Sequence, residues 1–205
     1  MIEEGEMVRC ATLMVSIVLA SGPVFSQQHS GSSLLLDDFT RPDGRSELST
    51  EWEGFTDRVM GGRSDITVRV EDTNQGPALR MTGRVSLENR GGFIQARLPM
   101  AREGSMDAGE YRGVALTARA AGDHLDRYYV HLRTNRTRFP WSHYAQNMTV
   151  GEDWRRIELS FEDFEPRYML GGGSPNVSNL RSVAIVAGNA EFTADIQVSS
   201  IELYK

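Results

Sequence analysis

The sequence predicts an all-β fold, either a sandwich or a barrel. Apolar and polar residues alternate in short runs, clusters of Gly, Asn, Asp and Pro separate these runs, and helical periodicity is weak throughout. Alternation with a period of two is typical of strands that bury one face, and several such strands without interleaved helices indicate a sandwich or barrel. Residues 46–51 and 99–102 are expected to form at most one helical turn each.

Seven runs are predicted to form strands, and in chain order they are 34–39, 79–87, 111–118, 128–134, 156–161, 183–187 and 196–204. The alternation in the second run continues through Leu87, which is therefore expected to point inward. The run 183–187 is continuously apolar, so we expect it to be buried on both sides. A slip in the alternation at Ser199 and Ser200 predicts a β-bulge.

Length and composition limit the possible function classes. At about 150 residues per domain, the 205 residues indicate one domain, which we assign to 34–205 after a flexible tail at 27–33. The net charge of −6 argues against a nucleic-acid-binding protein, because such proteins present a basic surface. The single cysteine, Cys10, excludes an intramolecular disulfide.

The N-terminal segment 1–26 is predicted to be a secretory signal peptide. An apolar stretch at 11–20 follows Arg9, and the small residues Val24 and Ser26 are spaced like a cleavage site. The acidic start suggests that translation begins at Met7. Cleavage would leave no membrane-spanning segment, so we expect a periplasmic or secreted protein, with a bacterial host favoured. The alternative is an uncleaved segment that associates with the membrane.

Two Gly-Gly motifs are candidates for structural turns. Each motif has a glycine pair between polar and apolar neighbours. The residues predicted to have a structural role in these turns are Met60, Gly61, Gly62, Ser64, Gly91, Gly92 and Phe93. Paired glycines permit positive φ and tight turns, and Val59 and Met60 are expected to anchor the first turn in the core. The polar neighbours Asp57, Arg58 and Asn89, together with Arg97, either join the two loops by hydrogen bonds or contact a ligand.

Residues 57–64 (Asp-Arg-Val-Met-Gly-Gly-Arg-Ser) and 87–97 together resemble the signature of the complex I intermediate-associated protein 30 family. The later segments of the chain occur in the same order as the corresponding segments of the family, and the resemblance covers about 34–204. It implies a jelly-roll β-sandwich like that of galactose-binding domains. Mitochondrial members are assembly factors for respiratory complex I, so the resemblance also implies a protein partner. An exported chain would lie on the opposite side of the membrane from those members.

A second group of candidate binding residues lies between 128 and 144. Alternation places Tyr128, Val130 and Leu132 inward, so that Tyr129, His131 and Arg133 share the opposite face. A loop containing Trp141 and Tyr144 follows. Aromatic rings and arginines near the rim of a sandwich suit the recognition of sugars or peptides, although Trp141 and Tyr144 alternatively cover the end of the sandwich.

Sequence motifs for catalysis, cofactors and metals are missing. The four histidines do not form a His-Glu-x-x-His pattern, and neither a nucleotide-binding loop nor a nucleophile elbow occurs. Glu162 and Asp163 are predicted to occupy a solvated turn between buried Phe161 and Phe164, although they also permit a hydrolase hypothesis. The sequence thus favours an exported, non-catalytic module without cofactor that binds a protein partner; the alternative is a carbohydrate-binding module.

Overall fold

The computed structural model describes Met1 and residues 33–169 and 172–205. The predicted signal peptide (1–26) and tail (27–33) therefore lie outside the described residues, apart from Met1 and Ser33. Among the residues that the structure describes, no helix has the length and apolar character that a membrane span requires.

The described residues form twelve strands: β1 (Leu34–Asp37), β2 (Glu53–Thr56), β3 (Thr67–Thr73), β4 (Gly76–Val85), β5 (Phe93–Pro99), β6 (Gly113–Ala120), β7 (Tyr128–Thr134), β8 (His143–Met148), β9 (Arg155–Ser160), β10 (Glu165–Arg167), β11 (Leu180–Gly188) and β12 (Phe192–Tyr204). Four single 3₁₀ turns accompany them, at Asp57–Met60, Glu88–Arg90, Phe161–Asp163 and Val177–Asn179.

The strands form two antiparallel sheets of six strands each. The first sheet has the order β3-β4-β12-β6-β9, with β1 also paired to β12. The second sheet has the order β10-β8-β7-β11-β5-β2. The two inner faces contribute to one hydrophobic core cluster, because alternation along each strand directs every second side chain inward. This architecture confirms the predicted all-β sandwich.

Strand β12 shows how the sequence determines the local structure. Its inward residues Ala194, Ile196 and Val198 alternate with outward ones, and the alternation resumes one residue out of step at Ile201. At this place the pairing of β12 with β6 shifts register between Val198 and Ser200. The bulge that the slip in alternation predicts is therefore confirmed, as is the burial of Val183–Ala187.

Several expectations about local structure are wrong. Leu87 is exposed, because β4 ends at Val85 and the alternation stops there. Val59 and Met60 are also exposed, Val59 at 73%. They lie in the 3₁₀ turn Asp57–Met60, whose buried residue is the polar Asp57. The single helical turn that the sequence permits at 99–102 does not form, which is compatible with the expectation of at most one turn, since Pro99 ends β5.

Candidate functional site

The first Gly-Gly motif is organised around the buried carboxylate of Asp57. Its Oδ1 accepts a hydrogen bond from the N–H of Ser64 at 3.0 Å, and its Oδ2 accepts one from the Ser64 hydroxyl at 2.5 Å. The same Oδ2 accepts from the N–H of Gly92 at 2.6 Å, across 35 residues of chain. Asp57 therefore joins the loop after β2 to the loop between β4 and β5.

The pKa of Asp57 reflects this environment. Burial raises the pKa of the carboxyl, but the hydrogen bonds from Ser64, Gly92 and Phe93 lower it, and the result lies below the ordinary value of 3.8. A carboxylate that accepts several hydrogen bonds stays ionised because these bonds stabilise the charged form. Asp57 is thus a charged structural residue at neutral pH.

The paired glycines make room for this carboxylate. A Cβ atom at Gly62 or at Gly91 would collide with the side chain of Asp57. Gly61 has φ +90° and ends the 3₁₀ turn in the left-handed region, which L side chains rarely adopt. The structural interpretation of the motif is therefore supported by the backbone geometry.

Two further polar candidates belong to the same junction. The Nε of Arg58 donates to the carbonyl of Ser64 at 2.8 Å, and the Nδ2 of Asn89 donates to the carbonyl of Gly61 at 3.3 Å. The bond from Arg58 lies within the first loop, whereas the bond from Asn89 joins the two loops, as the hydrogen-bonding interpretation predicts. Ligand contact by Arg58 and Asn89 stays a prediction.

The outer face of the second sheet carries the other candidates. Register places Tyr129, His131 and Arg133 of β7 beside residues of the neighbouring strands β11 and β8, and β5 follows on the far side of β11. The strand partners that share this face are Gln95, Arg97 and Pro99 on β5, Ser182, Ala184 and Val186 on β11, and His143, Ala145 and Asn147 on β8. The short side chains of β11 are buried here although they point outward, because longer neighbours lie over them.

Two imidazoles stack on this face. The rings of His131 and His143 lie 3.9 Å apart at 14°, and Nδ1 of His143 lies 2.9 Å from the carbonyl oxygen of Trp141. Burial, followed by the charges of His143 and Arg167, holds the pKa of His131 well below 6.5. Burial likewise lowers the pKa of His143. Both rings are therefore neutral at pH 7 and present a fixed ring surface.

Arg133 holds the following loop in place. Its guanidinium donates to the carbonyl oxygens of Phe139 at 2.8 Å and Pro140 at 3.1 Å. This loop exposes the ring of Trp141, which stacks on Phe139 with centroids 5.4 Å apart and planes 2° apart. Trp141 is half exposed at 50%, so the loop presents a rigid aromatic surface.

Tyr144 does not belong to this surface. It is 1% exposed and lies in the core, because alternation along β8 turns His143 and Ala145 outward and Tyr144 inward. The prediction of Tyr144 as a surface binding residue is wrong. His143 takes its place, and the alternation of 143–148 contained that information. Tyr168, exposed and 6.0 Å from the ring of His143, was also missed; no pattern in the sequence identifies it.

Arg97 lies on the same face, one strand beyond β11. Its guanidinium forms an ion pair with Glu53 at 2.6 Å and lies 4.2 Å above the ring of Phe55. Its Nε is buried without a hydrogen-bond partner. Arg97 therefore contacts Glu53 and Phe55 rather than the loops around Asp57, although both residues belong to the same sequence signature.

The carboxylates of the hydrolase hypothesis lie in the 3₁₀ turn Phe161–Asp163. Glu162 and Asp163 are exposed, whereas Phe161 and Phe164 are buried. The predicted solvated turn between two buried phenylalanines is confirmed. Within 33–169 and 172–205, no group of three or more His, Cys, Asp or Glu side chains is arranged to hold a metal ion.

The family model described as complex I intermediate-associated protein 30 (CIA30) matches residues 38–197. Among curated proteins, no sequence matches the chain.

Solved structures share the fold at low sequence identity. The family 11 carbohydrate-binding module from Clostridium thermocellum, in complex with a β-1,3-1,4-mixed-linked tetrasaccharide, has a TM-score of 0.63 at 15% identity, with 84% of this chain and 95% of that chain covered. A family 30 carbohydrate-binding module has a TM-score of 0.51 at 12% identity, covering 70% and 92%. An exo-β-agarase has a TM-score of 0.53 at 10% identity, covering 82% of this chain but 24% of that chain. These similarities support the galactose-binding-like sandwich that the family resemblance implies.

Proposed function

Because the chain belongs to the complex I intermediate-associated protein 30 family and shares its fold with carbohydrate-binding modules, we propose that it is a non-catalytic binding module. Its ligand is a glycan that lies on the outer face of the second sheet. The observation that carries this proposal is the aromatic surface formed by His131, His143, Phe139 and Trp141, which lies outside the hydrophobic core.

The aromatic surface is preorganised for a flat ligand. The imidazoles are stacked and neutral, and the backbone carbonyls around Trp141 are held by His143 and Arg133. Fixed rings lose little conformational entropy on binding, which increases affinity. Exposed aromatic rings with a few convergent polar groups are typical of sites that stack sugar rings and orient them by hydrogen bonds. The carbohydrate ligand of the family 11 module supports the same ligand class.

A binding assay with matched variants tests this proposal. We expect wild-type protein to bind a glycan saturably on an array, and Trp141→Ala to weaken that binding at least about tenfold, as loss of a central aromatic contact does. Trp154→Ala, which makes the same change beside the first sheet, is the control and should keep its affinity. An equal loss of glycan affinity in both variants, with an equal fall in melting temperature, would contradict a specific role of Trp141.

A protein partner is the second candidate, and a different surface favours it. Val59, Met60 and Leu87 are exposed on the two loops that Asp57 joins. These loops lie at the Phe93 end of β5, about 20 Å from its Pro99 end at ~3.3 Å per residue. Exposed apolar side chains grouped on rigid loops suit protein contact, and the family name supports an assembly role.

The two candidates respond to different substitutions. A protein partner at the Asp57 junction predicts that Val59→Ser/Met60→Ser abolishes co-purification with a defined membrane complex, whereas Trp141→Ala leaves it intact. Val70→Ser, at another exposed valine on β3, is the control. Turnover of a glycoside that Glu162→Gln abolishes would contradict the non-catalytic assignment and support a hydrolase.

Export from the cytoplasm completes the proposed function. Its support is the apolar stretch at 11–20 followed by a small-residue cleavage pattern. An exported module would meet extracellular or periplasmic glycans. Export also separates this chain from the matrix-side assembly role that the family resemblance implies for mitochondrial members.

A further inference from the structure

Four arginines converge on one pocket at the Pro99 end of the outer face. The pocket has a volume of about 310 Å³, and the four arginines that line it are Arg97, Arg102, Arg133 and Arg181. The arginines come from β5, β7, β11 and the loop after β5, and no lining residue is acidic. The volume lies near the lower end of the range for small-molecule sites, about 300–1,000 Å³.

The positive charge of this pocket is largely uncompensated. Among the residues that the structure describes, Arg97 pairs with Glu53, whereas Arg102, Arg133 and Arg181 form no ion pair. Burial, and then the charges of Arg97 and Arg181, lower the pKa of Arg133, which indicates that the like charges lie close together. The chain as a whole carries a net charge of −6, so the positive charge of the pocket is opposite in sign to that of the whole chain.

The guanidinium groups divide into a fixed pair and an available pair. Arg97 is held by Glu53 and Phe55, and Arg133 is held by the carbonyls of the loop that it supports. Arg181 is exposed, and Arg102, also exposed, uses its Nε to donate to the carbonyl of Ser49 while its terminal nitrogens stay available. Arg102 and Arg181 can therefore each offer a planar fork to a carboxylate, while the fixed pair adds charge.

The position of the pocket disfavours an extended peptide. The pocket lies over β5, β11 and β7, and each of these strands is paired on both sides. A peptide that adds a strand needs unpaired backbone groups at a sheet edge, whereas β11, at the centre of this surface, is paired with both β5 and β7. Recognition here therefore depends on side chains, and the aromatic surface continues along the same face.

We propose that the arginine pocket binds the carboxylate of an acidic polysaccharide built from uronic acids, whose neighbouring rings extend over the aromatic surface. This proposal rests on the proposed glycan-binding function and specifies its ligand class. A carboxylate on a sugar ring supplies a planar anion for the forks of Arg102 and Arg181. The ring itself supplies a flat face for the aromatic surface.

Titration calorimetry with the full chain tests the proposal. The probes are a galacturonate hexamer, a neutral glucose hexamer and a hexaglutamate peptide. We expect the galacturonate hexamer to bind more tightly than the other two, and its affinity to fall as salt rises because the ion pairs are screened. Arg102→Gln/Arg181→Gln should weaken it at least about tenfold, as loss of hydrogen bonds to a charged group does.

A charge-matched control excludes a general effect of net charge. Arg84→Gln/Arg112→Gln removes the same two charges at exposed positions outside the pocket and should change galacturonate affinity by less than about twofold, as surface changes away from a site do. Melting temperatures of both double variants check that they fold. Unchanged galacturonate binding in Arg102→Gln/Arg181→Gln would overturn the proposal.

The remaining outcomes separate this inference from the proposed function. Binding of the neutral hexamer without galacturonate binding would overturn the uronate assignment and leave the glycan-binding function standing. Tighter binding of hexaglutamate than of galacturonate, lost in Arg102→Gln/Arg181→Gln, would replace the glycan with an acidic peptide. Failure of every glycan on the array and of both hexamers would overturn both proposals.

Discussion

The Asp57 junction permits a quantitative prediction about stability. Replacing Asp57 by Asn keeps the shape of the side chain but removes its charge and turns one acceptor into a donor. If the amide nitrogen takes the place of Oδ2, it faces the N–H of Gly92, which now donates to that oxygen at 2.6 Å. If it takes the place of Oδ1, it faces the N–H of Ser64. Either orientation leaves a buried donor against a donor.

The expected cost follows from the number of bonds affected. Leaving a buried partner unsatisfied costs about 1–3 kcal/mol, and more when the lost group is charged. Asp57→Asn removes one such acceptor and weakens the remaining bonds, so we expect a loss of about 3 kcal/mol in the free energy of unfolding. For a domain of this size that corresponds to a fall of about 6–12 °C in melting temperature.

The pH dependence of the same variant gives an independent readout. The pKa of Asp57 is lower in the folded chain than its ordinary value of 3.8, so its contribution to stability is fully present above that value. It is lost as the pH falls through the folded pKa. The difference in unfolding free energy between wild type and Asp57→Asn should therefore be largest at pH 7 and smaller at pH 3.

Denaturant unfolding at both pH values measures this difference. The control is Asp123→Asn, at an exposed aspartate, which should change stability by less than about 0.5 kcal/mol. A melting temperature of Asp57→Asn within about 2 °C of the wild type, equivalent to no more than ~1 kcal/mol, would refute the reasoning that this carboxylate joins the two loops.

Three further predictions concern the junction, the aromatic surface and the N-terminus. Gly62→Ala should lower the melting temperature because its Cβ collides with Asp57, whereas Gly172→Ala, where nothing lies within 4 Å, should not; thermal denaturation compares them. Because the pKa of His131 is lowered in the folded chain, the unfolded chain binds a proton first as the pH falls below about 6.5, so the free energy of unfolding of the wild type should decrease from there. His131→Gln should reduce that decrease, as measured by denaturant unfolding at pH 7 and pH 5. N-terminal sequencing of the protein recovered from its host should begin at Gln27 if segment 1–26 is removed; an intact N-terminus in a cytoplasmic fraction would contradict export.

A strand was predictable from the sequence where one of its faces packs on the core and the other points outward. Tyr128, Val130 and Leu132 are buried and Tyr129 and His131 lie outward, because a period of two directly records which side of a strand meets the core. The same reasoning fails where a strand stops. Nothing in the alternation through Leu87 marks the end of β4 at Val85, since that end is determined by the junction around Asp57.

The candidate site was predictable only in part. The outward face of β7 follows from local alternation. The same reasoning applied to 143–148 would have placed His143 outward and Tyr144 inward. The role of Asp57 depends on Gly92, which is 35 residues away along the chain. Local patterns do not reveal such a contact, because they record only neighbours in sequence.

The sequence by itself therefore determined the fold class, the inward faces of strands such as β7 and β12, the bulge in β12 and the family, since alternation and the paired glycine motifs are local properties of the chain. Only the tertiary structure decided that Asp57 is the buried centre of the two-loop junction and that Val59 and Met60 are exposed. It also decided that Arg97, Arg102, Arg133 and Arg181 share one pocket. The physical reason is that strand order β7-β11-β5 brings distant segments together, and the pairing of whole strands, rather than any short motif, determines that order.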